Sequence, residues 1–341
     1  MCIEQTIFTD EGGTRYGCPS FDLPHVGEGE NKLRLIQIES SLPWGFPIFS
    51  MELQNQSNTA LSSRSQFIRV HGVKLHYLEW GDATNPPLLL LHGGAAHAHW
   101  WDHIAPVLAR THWVLALDLR GHGDSSWSIP PSYEVEDYVA DLEAIVTTLG
   151  LAPVVVLGHS LGGFIALTYA IIHPEAVRTL VVVDIGARLG GSRYMRLLRS
   201  LPPPVYHNEA ELFRRFRPLP TETRATPDRL RHIARHSVMS QGDGRLQLKG
   251  DRAALVRAPQ NISSLLSKLS CPILFVRGQD SRSLSAAALT ELVQCCPQAC
   301  GTEIPAAGHH VFLDNAPAFL KAVCRFLDEM AHDSVNQKLS R

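Results

Sequence analysis

The residue best placed to do chemistry in this chain is Ser160, in Gly158-His159-Ser160-Leu161-Gly162. Before it, Val154-Val155-Val156-Leu157 is an apolar, β-branched run of the buried-strand type; after it, residues 164–170 are apolar and helix-forming. A serine at such a strand-to-helix turn is forced into a strained backbone conformation. Glycines two residues before and two after supply the room this crowding requires. The turn lifts the hydroxyl clear of the sheet and aims the first N–H groups of the helix at the space beside it, with Leu161 N–H as the first donor to a developing oxyanion. A glycine-rich turn carrying a merely solvated serine would match the same five residues, so the surrounding elements must decide.

Those elements alternate. Strand-like segments are read at 67–70, 73–80, 87–92, 113–118, 154–158, 179–184, 272–277 and 301–304, and helical apolar spacing at 133–149, 161–173, 285–296 and 316–330. Such alternation predicts an α/β fold, a mostly parallel sheet covered by helices. Between Asp184 and Pro272 lie almost ninety residues with no comparable strand, Arg-rich and helix-prone, broken by Pro202-Pro203-Pro204 and Pro218. This stretch, 186–267, is expected to be a helical cap over the strand ends. The core is then 65–185 plus 268–331, with 332–341 as a tail. Residues 1–64 show no sustained period and are expected to be a poorly ordered extension. Truncation to Met51, just ahead of the first strand-like segment, is expected to leave activity intact.

Two further motifs flank the serine turn: Leu91-His92-Gly93-Gly94 after the third strand, and Asp118-Leu119-Arg120-Gly121-His122-Gly123-Asp124-Ser125 after the fourth. Together the three resemble the α/β-hydrolase superfamily across about residues 67–330. Within it, the chain is most similar to the capped branch of carboxylesterases, carbon–carbon bond hydrolases, epoxide hydrolases and haloalkane dehalogenases. The resemblance implies an eight-stranded, mostly parallel sheet flanked by helices, with the cap inserted after strand six. It also implies that Gly94 gives the second oxyanion N–H, a glycine pair letting backbone approach a ligand without an intervening Cβ. The segment after Asp118 is expected only to shape a loop.

The same resemblance places a general base after the last strand, in Gly308-His309-His310. His309 is preferred, because the family's histidine follows a glycine and precedes an acidic residue by five, here Asp314. The acid that orients it is open. The usual position, three residues after the glycine ending the seventh strand, is Ser281. Asp280 stands one residue early, and Asp184 ends the sixth strand, where some capped relatives keep their acid. What the base needs is a buried carboxylate at its Nδ1–H, not a fixed chain order. The break at position 281 favours Asp184, with Asp280 as the alternative.

These parts define two-step acyl transfer without a cofactor. Hydrolysis of a small-molecule carboxylic ester or lactone is the expected outcome. Carbon–carbon bond hydrolysis of a dioxo acid would use the same residues, and a ligand-binding receptor with a weak or silent triad is the reading from another class. Serine at the turn disfavours dehalogenase and epoxide hydrolase chemistry, which needs an aspartate there.

Composition narrows the partners. A net charge of −2, from 31 basic and 33 acidic residues, gives no general field to gather nucleic acid. The apolar runs fall far short of the roughly 20 residues of a membrane span. Glu4, Asp10 and Glu11 interrupt any secretory leader. Seven cysteines in a chain of 341 residues fit reduced thiols and a cytoplasmic location. No metal is expected: His97, His99 and His103 lack zinc-protease spacing, and Cys295, Cys296 and Cys300 lack a matching ligand pair. Trp100 and Trp101 read as core. Arg193, Arg196, Arg199, Arg214, Arg215 and Arg217 could bind a substrate carboxylate, but a solvated helix face is the commoner use of such residues.

Overall fold

The structure, a computed structural model, describes residues 8–9, 15–16, 62–186, 197–198, 200–255 and 266–339. Two units divide the chain, 1–60 and 61–341. In the first, Phe8–Thr9 pairs antiparallel with Arg15–Tyr16. The rest of residues 1–61, and with it the expectation for a chain starting at Met51, lies outside the described residues.

The second unit is built on eight strands: β1 Arg64–Val70, β2 Val73–Trp80, β3 Pro87–Leu91, β4 Trp113–Leu117, β5 Val154–His159, β6 Val177–Val183, β7 Ile273–Gly278 and β8 Ala299–Ile304. They form one sheet in the order β8-β7-β6-β5-β3-β4-β2-β1. Pairings from β4 to β8 are parallel; β1–β2 and β2–β4 are antiparallel. The central strands are apolar without alternation because both faces are buried. Successive residues of β5 enter opposite layers: Val154 and Val156 pack with Phe164, Tyr138 and Leu142, whereas Val155 and Leu157 pack with Trp101, Phe312 and Phe319. On the first face lie α1 (Val135–Thr148) and α2 (Leu161–Ile172). The predicted strands and helices are all present, with ends displaced by a few residues. The final helix, Ala316–Leu339, runs on through the segment read as a tail.

Among the described residues, the insertion between β6 and β7 holds α3 (Glu209–Arg215) and α4 (Pro227–His236), each opened by a side-chain cap, Asn208 and Thr226 respectively. It also holds three short strands that the sequence reading lacks. Leu246–Leu248 pairs antiparallel with Val238–Ser240 on one side and with Val205–Tyr206 on the other. Strands of two or three residues carry no readable period. The Asp243-Gly244 pair, with Gly244 at φ +82°, was the available hairpin signal.

Candidate active site

β5 delivers Ser160 as expected from the local sequence. Its backbone has φ +52° and ψ −113°, one of few positive φ values at a non-glycine residue here, and a conformation that costs of order 1–3 kcal/mol. Packing holds it there. Ser160 N–H donates to Val183 O at 2.9 Å, and Gly162 N–H donates to His92 O at 3.1 Å. A Cβ on Gly158 would run into Gly162 O, and one on Gly162 into Leu91 O, so strand, turn and helix approach as closely as backbone permits.

The loop after β3 is fixed through His92. Leu119 N–H donates to His92 Nε2 (3.1 Å), so the ring proton is on Nδ1, which donates to Gly93 O (2.7 Å). Complete burial, reinforced by His122 nearby, pushes this imidazole down to about 3, so it is neutral. The two glycines differ in what they do. A Cβ on Gly93 would stand 2.8 Å from His159 Nδ1 and 3.3 Å from Ser160 Cβ, whereas one on Gly94 would meet only Leu161 Cδ2 at 4.0 Å. The steric demand anticipated for the pair therefore falls on Gly93. Neither Gly94 N–H nor Leu161 N–H has an acceptor among the described residues.

Asp184 and His309 come together across β6 and the loop after β8. His309 Nδ1 lies 2.8 Å from Asp184 Oδ1. Asp184 is fully buried, and it accepts from Ser281 Oγ at 2.6 Å and from Gly278 N–H at 3.0 Å. Asp280 is elsewhere: its carboxylate is 47% exposed and paired with Arg224 Nη2 at 2.7 Å. His310 turns away from Asp184 and donates through Nε2 to Pro220 O (2.8 Å) in the insertion, and burial, with His309 beside it, pushes it down to about 4. Among the described residues Asp314 bonds no imidazole; it accepts from Gly308 N–H, Thr223 Oγ1 and Arg224 N–H, holding the histidine loop and the insertion together.

His159 and Ser281 gained no role from sequence. His159 Nε2 donates to His309 O at 3.0 Å and its ring lies 4.6 Å from that of His309, so the residue before the serine fastens the backbone of the histidine. The departure from the usual aspartate at 281 was the available signal for the serine that now braces Asp184.

The remaining candidates have structural partners. Asp118 is buried and accepts from His76 Nδ1, Ala98 N–H and Asp124 N–H. Burial would raise its carboxyl, but the His76 hydrogen bond and the adjacent histidines outweigh that and hold it well below the usual range. Trp100 and Trp101 are buried, Trp101 stacked on Phe312 with centroids 4.1 Å apart. Arg214, Arg215 and Arg217 are exposed, with Arg215 paired to Glu211; Arg193, Arg196 and Arg199 lie outside the described residues. Among the described cysteines, 271, 295, 296 and 324 are free thiols. No helix among the described residues is long and apolar enough to cross a membrane.

The family model for the alpha/beta hydrolase fold matches residues 86–316, which carry all of these site residues. The chain belongs to the α/β-hydrolase family. Over 259 residues this hydrolase is 30% identical to the sn-1-specific diacylglycerol lipase of Mus musculus, an alignment covering 72% of this chain and 82% of the lipase. It is 28% identical over 267 residues to an esterase of Mycobacterium tuberculosis, covering 76% and 88% of the two chains. Identity to the 2-(acetamidomethylene)succinate hydrolase of Mesorhizobium japonicum is 27% over 281 residues, covering 77% and 95%. The crystal structure of E-2-(acetamidomethylene)succinate hydrolase shares the fold with a TM-score of 0.68 at 24% identity, covering 78% of this chain and all of that one. These relatives are hydrolases.

Proposed function

We propose that this α/β-hydrolase cleaves a small-molecule carboxylic ester or lactone through an acyl-enzyme on Ser160. The observation that carries the reading is the 2.8 Å contact of His309 Nδ1 with the buried Asp184, at the end of the strand paired with the one that delivers Ser160 at positive φ. With Nδ1–H donated to Asp184, Nε2 is the ring nitrogen left to accept the Ser160 proton. As Oγ attacks the carbonyl carbon, the oxygen gains negative charge, and Leu161 N–H and Gly94 N–H donate to it. The tetrahedral intermediate collapses, His309 returns the proton to the departing alcohol, and the acyl group remains on Oγ. Water then attacks the acyl carbon, again losing its proton to His309, and the carboxylic acid leaves with Ser160 restored. In this reading residues 186–267 act as a cap over the strand ends, and Gly308, Asp314 and Ser281 act only by positioning.

The esterase and lipase among the relatives support ester hydrolysis as the outcome. Treatment with a fluorophosphonate probe, read by intact mass, tests the nucleophile. Wild type is expected to gain one adduct and Ser160→Ala none; an unlabelled wild type would overturn the reading in favour of a ligand-binding protein. A panel of aryl esters, lactones and dioxo acids then separates ester from carbon–carbon bond hydrolysis.

A further inference from the structure

Away from the serine, four side chains from distant parts of the chain converge where the insertion meets the core. His232 and His236 are four residues apart on α4, so they share one helical face. His99 and Asp102 are three apart on the short 3-10 helix Ala98–Trp101 and its C-cap, a spacing at which side chains eclipse. One potential ligand atom from each lies within 4.8 Å of all the others. Two are already closer: Asp102 Oδ2 is 2.8 Å from His99 Nδ1 and 2.7 Å from His232 Nε2.

We propose that His99, Asp102, His232 and His236 form a binding site for a divalent transition-metal ion of the zinc class, which clamps α4 of the insertion to the core. Three imidazole nitrogens and one carboxylate oxygen are a borderline-soft set, suited to Zn²⁺, Co²⁺, Ni²⁺ or Cu²⁺ and poor in the oxygens that Ca²⁺ or Mg²⁺ require. Zinc–ligand distances of about 2.0–2.1 Å make the edge of a tetrahedral site about 3.3 Å. The separations observed, from 2.7 Å to at most 4.8 Å, bracket that value.

His236 is the most informative member. Its ring stacks on His99 with centroids 3.6 Å apart and 22° between planes, and among the described residues it makes no hydrogen bond. A purely structural network, with Asp102 bridging two histidines to dock α4, accounts for the ring nitrogens of His99 and His232 and gives those of His236 no partner among the described residues. A metal gives all four a role. Metal entry takes the ring nitrogens of His99 and His232 that now face Asp102, and each bound imidazole carries its proton on the remote ring nitrogen.

The route in is open. An open cavity of about 360 Å³ is lined by His99, Asp102 and His232 together with His103 and Arg229. Side-chain exposure rises from 14% at His99 through 23% at Asp102 to 45% at His232. Arg229 brings the opposing positive charge, and its Nη1 is engaged by Leu313 O. This site shares no residue with the proposed triad, and its test does not depend on activity.

The full-length chain, stripped with a chelator and dialysed, is titrated with Co²⁺ and separately with Zn²⁺. Expected results are one equivalent of Zn²⁺ per chain by calorimetry, the intense visible absorption of four-coordinate Co²⁺, its loss on adding Zn²⁺, and a higher Tm with metal. His236→Ala and His99→Gln should each weaken binding at least tenfold, whereas His207→Ala, at an exposed histidine outside the cluster, should leave it unchanged. Circular dichroism confirms that each variant is folded; should one be unfolded, the other decides. Less than one equivalent bound by wild type, or binding unaltered in a folded His236→Ala or His99→Gln, overturns the proposal.

Discussion

The carboxyl ends of β6 and β7 are adjacent, and each carries an aspartate, yet the two residues live in different environments. Asp184 is fully buried, with its oxygens taken by Ser281 Oγ, Gly278 N–H and His309 Nδ1. Asp280 is about half exposed, and among the described residues its carboxylate is paired with Arg224 of the insertion alone. A buried carboxylate with this many donors is pre-oriented and water-free, so its charge acts on the imidazole at full strength. A solvated ion pair is screened and worth at most about 1 kcal/mol. Which aspartate can serve a histidine is decided by burial and donor count, not by distance along the chain from a motif.

The sharpest way to break this comparison is to neutralise each carboxylate in turn. Asp184→Asn is expected to lower kcat on an aryl ester by about 10⁴-fold, the usual loss for a triad acid. A loss no larger than that of Asp280→Asn would reject the assignment. The next largest effect is on stability. His92, His103 and His310 are pushed by burial to about 3, 4 and 4, below the ordinary 6.5. Between those values and 6.5 the unfolded chain binds protons that the folded chain refuses. Stability is therefore complete above about pH 6.5 and is lost progressively as pH falls towards 4. Urea midpoints measured at about pH 7.5, 6 and 5 should decline in that order; a flat series would contradict the burial of these rings.

Smaller effects refine the contrast. Gly93→Ala drives a methyl against His159 and Ser160 and should cost about 10²-fold in kcat/KM, the scale of a misplaced reacting group, while Gly94→Ala, facing open space, should cost much less. Equal losses would show that the close approach is not at Gly93. Ser281→Ala removes one donor from Asp184, worth about 1.5 kcal/mol or roughly tenfold in kcat. Asp280→Asn comes last: a change within about twofold is expected in both kcat and Tm, because only a surface pair is lost.

Sequence carried the sheet and the serine turn well because both rest on local rules. Strands buried on two faces read as unbroken apolar runs, and a strand–Gly–x–Ser–x–Gly–helix passage admits few backbone paths. The contacts that complete the site are not local. His309 reaches Asp184 over 125 positions, and His159 reaches the carbonyl of His309 over 150. Sequence favours Asp184 over Asp280 only by the break at position 281, because two strand ends are otherwise equivalent until their burial is known. The cluster proposed as a metal site is not legible in the spacing of His97, His99 and His103. His97 bonds Ser237 and His103 bonds Phe312 O, and half of the cluster comes from α4, some 130 residues away.

Asp314 ties one oxygen to Thr223 and Arg224 of the insertion and the other to Gly308, immediately before His309. A carboxylate is a rigid plane, so a displacement on one side is felt on the other. Any swing of the insertion wide enough to strain the Thr223 and Arg224 bonds pulls through Asp314 on the peptide preceding His309. In the proposed reading, with the insertion as cap and His309 as base, admission of substrate and alignment of the histidine are thus mechanically geared. Slowed amide exchange at Gly308 and at Arg224 should rise and fall together as ligands come and go.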